Sequence, residues 1–203
     1  MLAAEALCAD TPTPRAEDVV IDVCACPGGK TFGAAFLRGR VGRYYAFDLH
    51  GSKLPLIEKG AARLGLSVSV GVQDATEGRE ELFGKAAMVI CDVPCSGLGV
   101  LGKKADLRYR EPTGDLPPLQ RQILETSFRY LKVGGCLLYS TCTLLPEENE
   151  EQIRAFLSAH PEAVLVPFSP WAGRLASEDG MMTLLPHRHG TDGFFFAKIK
   201  KCK

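Results

Sequence analysis

Short apolar runs alternate with amphipathic segments along most of this chain. The runs predict strands over residues 18–24, 44–48, 67–72, 85–92, 136–140, 163–166 and 194–199. The segments predict helices over residues 3–7, 31–37, 52–64, 116–131 and 147–158. Strands that alternate with helices indicate a mostly parallel sheet covered on both faces. The last two strands have an irregular stretch and no helix between them, so we expect an antiparallel pair at one edge.

Two further signals mark the helix over residues 52–64. Ser52 is a plausible N-cap, and Gly65 a plausible stop, because serine accepts from free helix N–H groups and glycine adopts the left-handed conformation.

Residues 19–31, VVIDVCACPGGKT, combine a buried strand, a glycine turn and the start of a helix. Glycine lets the backbone approach a ligand closely, and a helix N-terminus offers free N–H groups. This order is typical of the beginning of a nucleotide-binding βαβ unit.

Polar residues follow four of the predicted strands. The segment from Cys24 to Lys30 follows the first, and Asp48, Asp74 and Asp92 end the next three. Asp48 lies about 20 residues past the glycine turn, the usual offset for an acid that binds ribose. Asp74 is placed to reach an adenine amino group. Any one of these acids is more often a cap or loop residue, but polar residues at four strand ends together favour a nucleoside ligand.

The glycine turn leaves the type of nucleoside open. It lacks the G-x-G-x-x-G pattern of nicotinamide-cofactor proteins. Gly29-Lys30-Thr31 imitates the end of a P-loop, but Cys24 stands where that motif needs a glycine. S-adenosylmethionine carries no phosphate and needs no P-loop. A P-loop-like nucleotide-binding protein is therefore the alternative hypothesis.

Composition adds bounds on the function. The 203 residues are most economically one domain, and no apolar run reaches bilayer length. The formal net charge is zero. Binding of nucleic acid would therefore need a local cluster of positive charge or another domain. The eight cysteines are typical of reduced thiols in a cytosolic protein. Their spacing does not match a zinc site, so no metal is expected.

Two cysteines follow apolar strands in polar, turn-forming sequence. Cys95 lies in DVPCSG and Cys142 in STCT. A thiolate at the ligand edge of the sheet could act as a covalent nucleophile. The alternative is that both are small core residues, and spacing alone does not decide.

The chain resembles the Sun/Fmu-type RNA cytosine-5 methyltransferases. The matching segments span nearly the whole chain in the family's order. They are CACPGGKT (24–31), AFD (46–48), QDAT (73–76), DVPCSGLGVLGKKADLRYR (92–110), YSTCTLLPEENE (139–150) and PHRHGTDGFFFAKIKK (186–201).

The resemblance implies a Rossmann-like, class I S-adenosylmethionine-dependent methyltransferase fold in the α/β class, with a seven-stranded, mostly parallel sheet. S-adenosylmethionine would be the cofactor and RNA, expected to be ribosomal, the partner. Asp48 would bind the ribose, Asp74 the adenine, and Asp92 would lie beside the methionine moiety and the target base. The loop residues expected to line the cofactor site are Cys24, Ala25, Cys26, Pro27, Gly28, Gly29 and Lys30.

The resemblance also implies catalytic roles. Cys142 would attack carbon 6 of cytosine, Cys95 would help to release the product, and Asp92 would complete the catalytic group. The RNA backbone would be held by Lys30, Lys103, Lys104, Arg108 and Arg110. The alternative for the cluster at 103–110 is a solvated loop.

Two departures from the family pattern bear on activity. Family members usually carry an RNA-binding region before the catalytic domain, and this sequence begins at the domain's edge. A fragment that binds cofactor but does not act on RNA alone is thus a further alternative. Ala105 replaces a proline that is usual in its loop. A cytoplasmic monomer with no membrane association is expected.

Overall fold

The computed structural model describes residues 1–109 and 114–203 and has an α/β architecture. The helices are Leu2–Cys8 (α1), Gly29–Leu37 (α2), Leu54–Arg63 (α3), Leu116–Tyr130 (α4), Glu150–Ala159 (α5) and Pro186–His189 (α6). The strands are Val19–Asp22 (β1), Arg43–Asp48 (β2), Val68–Val72 (β3), Ala86–Asp92 (β4), Leu131–Thr141 (β5), Ala163–Leu165 (β6), Met181–Leu184 (β7) and Phe194–Lys201 (β8).

The described strands form one sheet of mixed direction. Its order is β3-β2-β1-β4-β5-β8-β6, with β7 also paired to β8. The five strands from β3 to β5 are parallel, whereas β8 runs antiparallel to β5. Strands β6 and β7 share the outer edge of β8, one after the other. The mostly parallel sheet and its antiparallel edge are confirmed.

Alternate residues of the central strands pack into two separate cores. Val89 and Leu137 face the side that α4 and α5 cover. Met88 and Leu138 face the opposite side, against the alanines of α1 and α2. Both faces are buried because each residue step reverses the side-chain direction. Burial of each such leucine side chain stabilises the fold by about 1.5–3 kcal/mol. Packing on both faces therefore stabilises the sheet. The predicted helices on both faces are confirmed.

The strand register brings several polar residues to one edge of the sheet. Asp22 at the end of β1 pairs with Ala46 of β2 and Ile90 of β4. Asp92 at the end of β4 pairs with Ser140 of β5. Because these strands are parallel, their carboxyl ends meet at this edge, where open α/β sheets bind ligands.

Three local predictions need correction. The stretch between the sixth predicted strand and the last is not wholly irregular, since it contains β7 and α6. Because of β7, the sheet among the described residues has eight strands rather than the expected seven. Ser52 is not an N-cap, because it lies within a 3-10 turn, Gly51–Lys53, and α3 begins after Lys53 without a side-chain cap. Strand β5 begins at Leu131 rather than 136 and contains a register shift against β4. Gly65 does follow α3 with a left-handed φ of +62°.

No helix in the described ranges is both long enough and apolar enough to cross a membrane.

Candidate active site

The loop after β1 is held against the end of β2 by its backbone. The N–H of Ala25 donates to the carbonyl of Phe47 at 2.8 Å, and the N–H of Cys26 donates to Asp48 Oδ2 at 3.2 Å. Gly28 has a φ of +103°, and a Cβ there would lie 2.4 Å from the Phe32 ring. Only glycine fits this position, so the glycine turn is a requirement of the loop's shape.

A cavity of about 460 Å³ opens beside this loop. Of the residues predicted to bind cofactor, Cys24, Ala25, Cys26, Pro27, Gly29, Lys30 and Asp92 line it. Gly28, Asp48 and Asp74 do not belong to its lining, although Asp48 anchors the loop from behind. Residues of α1 and of the 191–196 segment complete the wall, a contribution that the sequence did not indicate.

Asp22 also lines this cavity, and sequence reasoning missed it as a site residue. It is wholly buried, and Thr31 Oγ1 donates to its Oδ2 at 2.6 Å. Its Oδ1 is buried with no hydrogen-bond partner among the described residues. Burial raises the pKa of Asp22 to about 7. An acid among four apolar neighbours was the available signal, since buried carboxylates are rare without a partner.

Lys30 and Asp92 form an ion pair at the edge of the cavity. Their Nζ and Oδ2 atoms are 2.6 Å apart, and Ser140 Oγ donates to Asp92 Oδ1 at 2.6 Å. Burial alone would lower the pKa of Lys30, but the charge and hydrogen bond of Asp92 outweigh it and raise that pKa. Lys30 is therefore committed to a carboxylate, which argues against a phosphate-binding P-loop.

Cys95 and Cys142 come together at the ends of β4 and β5. Their Sγ atoms are 3.2 Å apart, and the Cys142 N–H donates to Cys95 Sγ at 3.3 Å. The hydrogen bond from the Cys95 thiol lowers the pKa of Cys142 and, with the nearby Lys30 charge, outweighs its burial. The same contact and burial raise the pKa of Cys95. The pair thus favours a Cys142 thiolate beside a Cys95 thiol.

A second cavity, of about 250 Å³, lies against Cys142. It shares Lys30, Asp92, Lys103 and Phe194 with the first cavity. Ligands bound in the two cavities would therefore face each other across the Lys30–Asp92 pair. This arrangement suits a reaction between two bound molecules.

The predicted RNA-binding residues have different surroundings. Lys30, Lys103 and Lys104 line the second cavity. The exposed Lys103 side chain is paired with Asp192, with Nζ and Oδ2 2.6 Å apart. Arg108 lies exposed in a 3-10 turn, Ala105–Tyr109. Arg110 falls outside the described residues.

Comparison with known proteins gives the family. A family model described as 16S rRNA methyltransferase RsmB/F matches residues 10–200. The chain belongs to this family. It is 42% identical over 196 residues to the probable ribosomal RNA small subunit methyltransferase B of Synechocystis sp., covering 93% of the chain and 44% of that relative. The ribosomal RNA small subunit methyltransferase B of Sodalis glossinidius is 37% identical to the chain. The match covers 96% of the chain and 44% of that relative. The chain spans less than half the length of these relatives.

Two solved structures are similar to this RsmB/F-family chain in fold and in sequence. PH0851 has a TM-score of 0.84 and 40% identity, covering 93% of the chain and 44% of that protein. NSun6 from Pyrococcus horikoshii, solved with SFG, has a TM-score of 0.78 and 30% identity. The match covers 100% of this chain and 51% of NSun6. The Rossmann-like methyltransferase fold expected from the resemblance is therefore confirmed.

Within this RsmB/F chain, the surroundings of three predicted cofactor residues, Asp74, Cys24 and Cys26, shift their pKa values. Asp74 Oδ1 accepts from the N–H and hydroxyl of Thr76 at 2.8 and 2.6 Å, and these hydrogen bonds lower the pKa of Asp74. Burial raises the pKa of both Cys24 and Cys26, which keeps them as thiols. An adenine contact by Asp74 stays a prediction.

All eight cysteines of this RsmB/F-family chain are free. Among residues 1–109 and 114–203, no group of three or more histidine, cysteine or acidic side chains is arranged to hold a metal ion.

Proposed function

We propose that residues 1–203 form a single catalytic domain that transfers a methyl group from S-adenosylmethionine to carbon 5 of a cytosine in small-subunit ribosomal RNA. The observation that carries this proposal is the Cys95–Cys142 pair. Cys142 of this pair lines a cavity that shares Lys30 and Asp92 with the cavity beside the glycine loop.

The first cavity, of about 460 Å³, has the size of a small-molecule site, about 300–1,000 Å³, and contains a buried carboxyl that favours a cationic ligand group. The unpartnered Oδ1 of Asp22 is a buried acceptor suited to the ammonium group of the methionine moiety. The loop from Cys24 to Lys30 would enclose that moiety, with Asp48 at the ribose. A relative of known structure was solved with SFG, an analogue of this cofactor, which supports the same ligand here. When bound, the cofactor supplies an electrophilic methyl group.

Carbon 5 of cytosine is a poor nucleophile, which explains the need for a cysteine. Addition of the Cys142 thiolate to carbon 6 breaks the 5,6 double bond and makes carbon 5 part of an enamine. After methylation, loss of the carbon 5 proton expels the Cys142 sulfur and restores the ring. Cys95, 3.2 Å from Cys142, is positioned to assist that elimination. Asp92 would orient the base from the shared wall.

The RNA must present an unpaired or flipped-out cytosine to reach Cys142. Lys103 and Lys104 line the second cavity, and Arg108 is exposed nearby in sequence. We infer that these cations hold RNA phosphates. We also infer a cytoplasmic location, since free thiols persist in reducing compartments.

Methyl transfer tests the proposal directly. Purified protein would be incubated with radiolabelled S-adenosylmethionine and transcribed small-subunit ribosomal RNA, followed by nucleoside analysis. We expect label in 5-methylcytidine, loss of activity in Cys142→Ala, and wild-type activity in Cys202→Ala, which removes an exposed cysteine at the C-terminus.

Calorimetry with each ligand, combined with the methylation assay, separates the other hypotheses. Cofactor binding in calorimetry without methylation of RNA would identify a cofactor-binding fragment that needs the remaining length of its relatives. Binding of ATP–magnesium in place of S-adenosylmethionine would overturn the proposal in favour of a P-loop-like protein.

A further inference from the structure

Two adjacent buried residues, Glu148 and Asn149, have no part in the chemistry described above. Glu148 is the last residue of a 3-10 turn, Pro146–Glu148, and Asn149 is the N-cap position of α5. Asn149 has non-helical backbone angles, φ −120° and ψ −104°, which separate the turn from the helix. Both side chains are directed toward the cysteine loops rather than toward solvent.

Glu148 fixes the backbone on both sides of Cys95, in part through Gln120 of α4. The Ser96 N–H donates to Glu148 Oε2 at 3.0 Å. Gln120 Nε2 donates to the same oxygen at 2.7 Å and to the Pro94 carbonyl at 2.9 Å. The residues before and after Cys95 are therefore held by one buried amide–carboxylate pair.

Asn149 fixes the residues on both sides of Cys142. Thr141 Oγ1 donates to Asn149 Oδ1 at 2.6 Å, and Asn149 Nδ2 donates to the Thr143 carbonyl at 3.1 Å. The Thr143 hydroxyl also lies 2.7 Å from Ser96 Oγ, which joins the two cysteine loops. Consecutive residues of one turn thus hold the two loops that carry the thiols.

We propose that Gln120, Glu148 and Asn149 are positioning residues that hold the Cys95 and Cys142 sulfurs at hydrogen-bond distance and so keep Cys142 reactive. The proposal gives a reason for the buried polar network and rests on the proposed role of Cys142. A thiol hydrogen bond depends strongly on distance and alignment, so a small displacement of either loop would remove it. Buried side-chain networks of this kind specify one local arrangement when they are satisfied.

Alkylation of Cys142 by iodoacetamide measures this effect without RNA or cofactor. The intact protein would be alkylated from pH 6 to pH 10 and the Cys142 peptide quantified by mass spectrometry. Because the thiolate is the nucleophile, the rate at neutral pH reports the thiolate fraction. We expect Asn149→Ala to react about tenfold more slowly at pH 7 and at the wild-type rate at pH 10. Cys95→Ala should give the same shifted profile.

A second variant tests the Cys95 side. Gln120→Met keeps the side-chain volume. It removes the hydrogen bonds from Nε2 to Pro94 and Glu148 and also removes an Oε1 that has no partner among the described residues. The same shift toward higher pH is expected. If Asn149→Ala does not fold, this variant decides the question.

Gln152→Ala is the matched control. Gln152 lies on α5, and its amide also makes two hydrogen bonds, from Arg121 Nε at 3.0 Å and to the Glu147 carbonyl at 2.9 Å. Neither bond reaches a cysteine loop, so its pH profile should match the wild type. A wild-type profile in the Asn149 and Gln120 variants, or an equal slowing at every pH, would overturn the proposal. Because no methyl transfer is measured, this result is independent of the test of the proposed function.

Discussion

Asp22 sets the charge balance of the larger cavity. Its carboxyl has a pKa of about 7 because it is buried, and one oxygen has no partner among the described residues. A cationic ligand group favours the ionised form, which predominates above pH 7. We therefore predict that affinity for S-adenosylmethionine rises from pH 6 to pH 8. Calorimetry across this range measures it.

Asp22→Asn provides the check on that prediction. Asparagine keeps the shape and can still accept from Thr31, but it does not ionise. The variant should bind more weakly at pH 8 and lose the pH dependence. A wild-type affinity that is flat from pH 6 to pH 8 would contradict the assigned role.

The same group makes a prediction about stability. Its folded pKa of about 7 lies above the unfolded value of about 3.9, so the folded state holds the proton more tightly between these values. The free energy of unfolding should therefore decrease as pH rises from about 4 to 7. Urea unfolding of the wild type and of Asp22→Asn at several pH values would reveal this slope, which the variant should lack.

At the residue scale, strand-end positions were the informative part of the sequence. Lys30, Asp92, Cys95 and Cys142 follow apolar runs, and parallel strands necessarily bring such positions to one edge. Glu148 and Asn149 gave no comparable signal, because polar residues near a helix start are usually solvated. Their role depends on which loops lie above that turn, which only the tertiary structure reveals.

At the element scale, two loops beside the cysteines meet backbone to backbone. The Gly99 N–H donates to the Cys142 carbonyl at 2.9 Å, and the Gly193 N–H donates to the Gly99 carbonyl at 2.8 Å. A Cβ on Gly99 would lie 2.2 Å from the Gly193 oxygen, where no flexible side chain can yield.

We predict that Gly99→Ala displaces these loops. It should cost about 1–3 kcal/mol of stability, as overpacking does, and reduce methyl transfer on the order of 10²-fold through misplacement of Cys142. Thermal unfolding and the methylation assay measure both effects. Gly102→Ala is the control, because open space surrounds that position and the backbone there is unstrained. Equal behaviour of the two variants would disprove the close-packing account.

Long, regular elements were predictable and short ones were not. The helix at 116–131 and the strand at 85–92 were close to their observed bounds, since their apolar periodicity is strong. Strand β7 has four residues, of which only Leu184 is fully buried, so its pattern resembles a loop. Strand β7 forms because its backbone pairs with the edge of β8. That edge is defined only by the tertiary structure, so the sequence pattern of β7 does not reveal it.

At the scale of the whole molecule, a buried ion network joins elements far apart in sequence. Asp18, before β1, accepts from Arg38 after α2 at 2.7 Å and from Lys132 in β5 at 3.0 Å. Burial would raise the pKa of Asp18, yet the Arg15 N–H and the Lys132 and Arg38 cations together lower it. Its stabilising contribution is thus present above the unfolded pKa and lost as pH falls through the lower folded value.

Asp18→Asn leaves the buried Arg38 cation without its carboxylate. We predict a loss of about 3–5 kcal/mol in the free energy of unfolding at neutral pH, because an unpaired buried charge is costly. Chemical denaturation measures it. Glu125→Gln, which removes a more exposed partner of His160, should cost less than about 1 kcal/mol. Similar losses in both variants would contradict the importance of the buried network.

Cys142 is the residue proposed to form the covalent bond to the RNA base. The most direct measurement is to incubate the protein and S-adenosylmethionine with small-subunit ribosomal RNA containing 5-fluorocytosine. Fluorine at carbon 5 cannot leave as a proton does, so the adduct is trapped. Mass spectrometry of the digested complex should locate the cytosine on Cys142, with no adduct in Cys142→Ala. An adduct on Cys95, or one that persists in Cys142→Ala, would contradict the account.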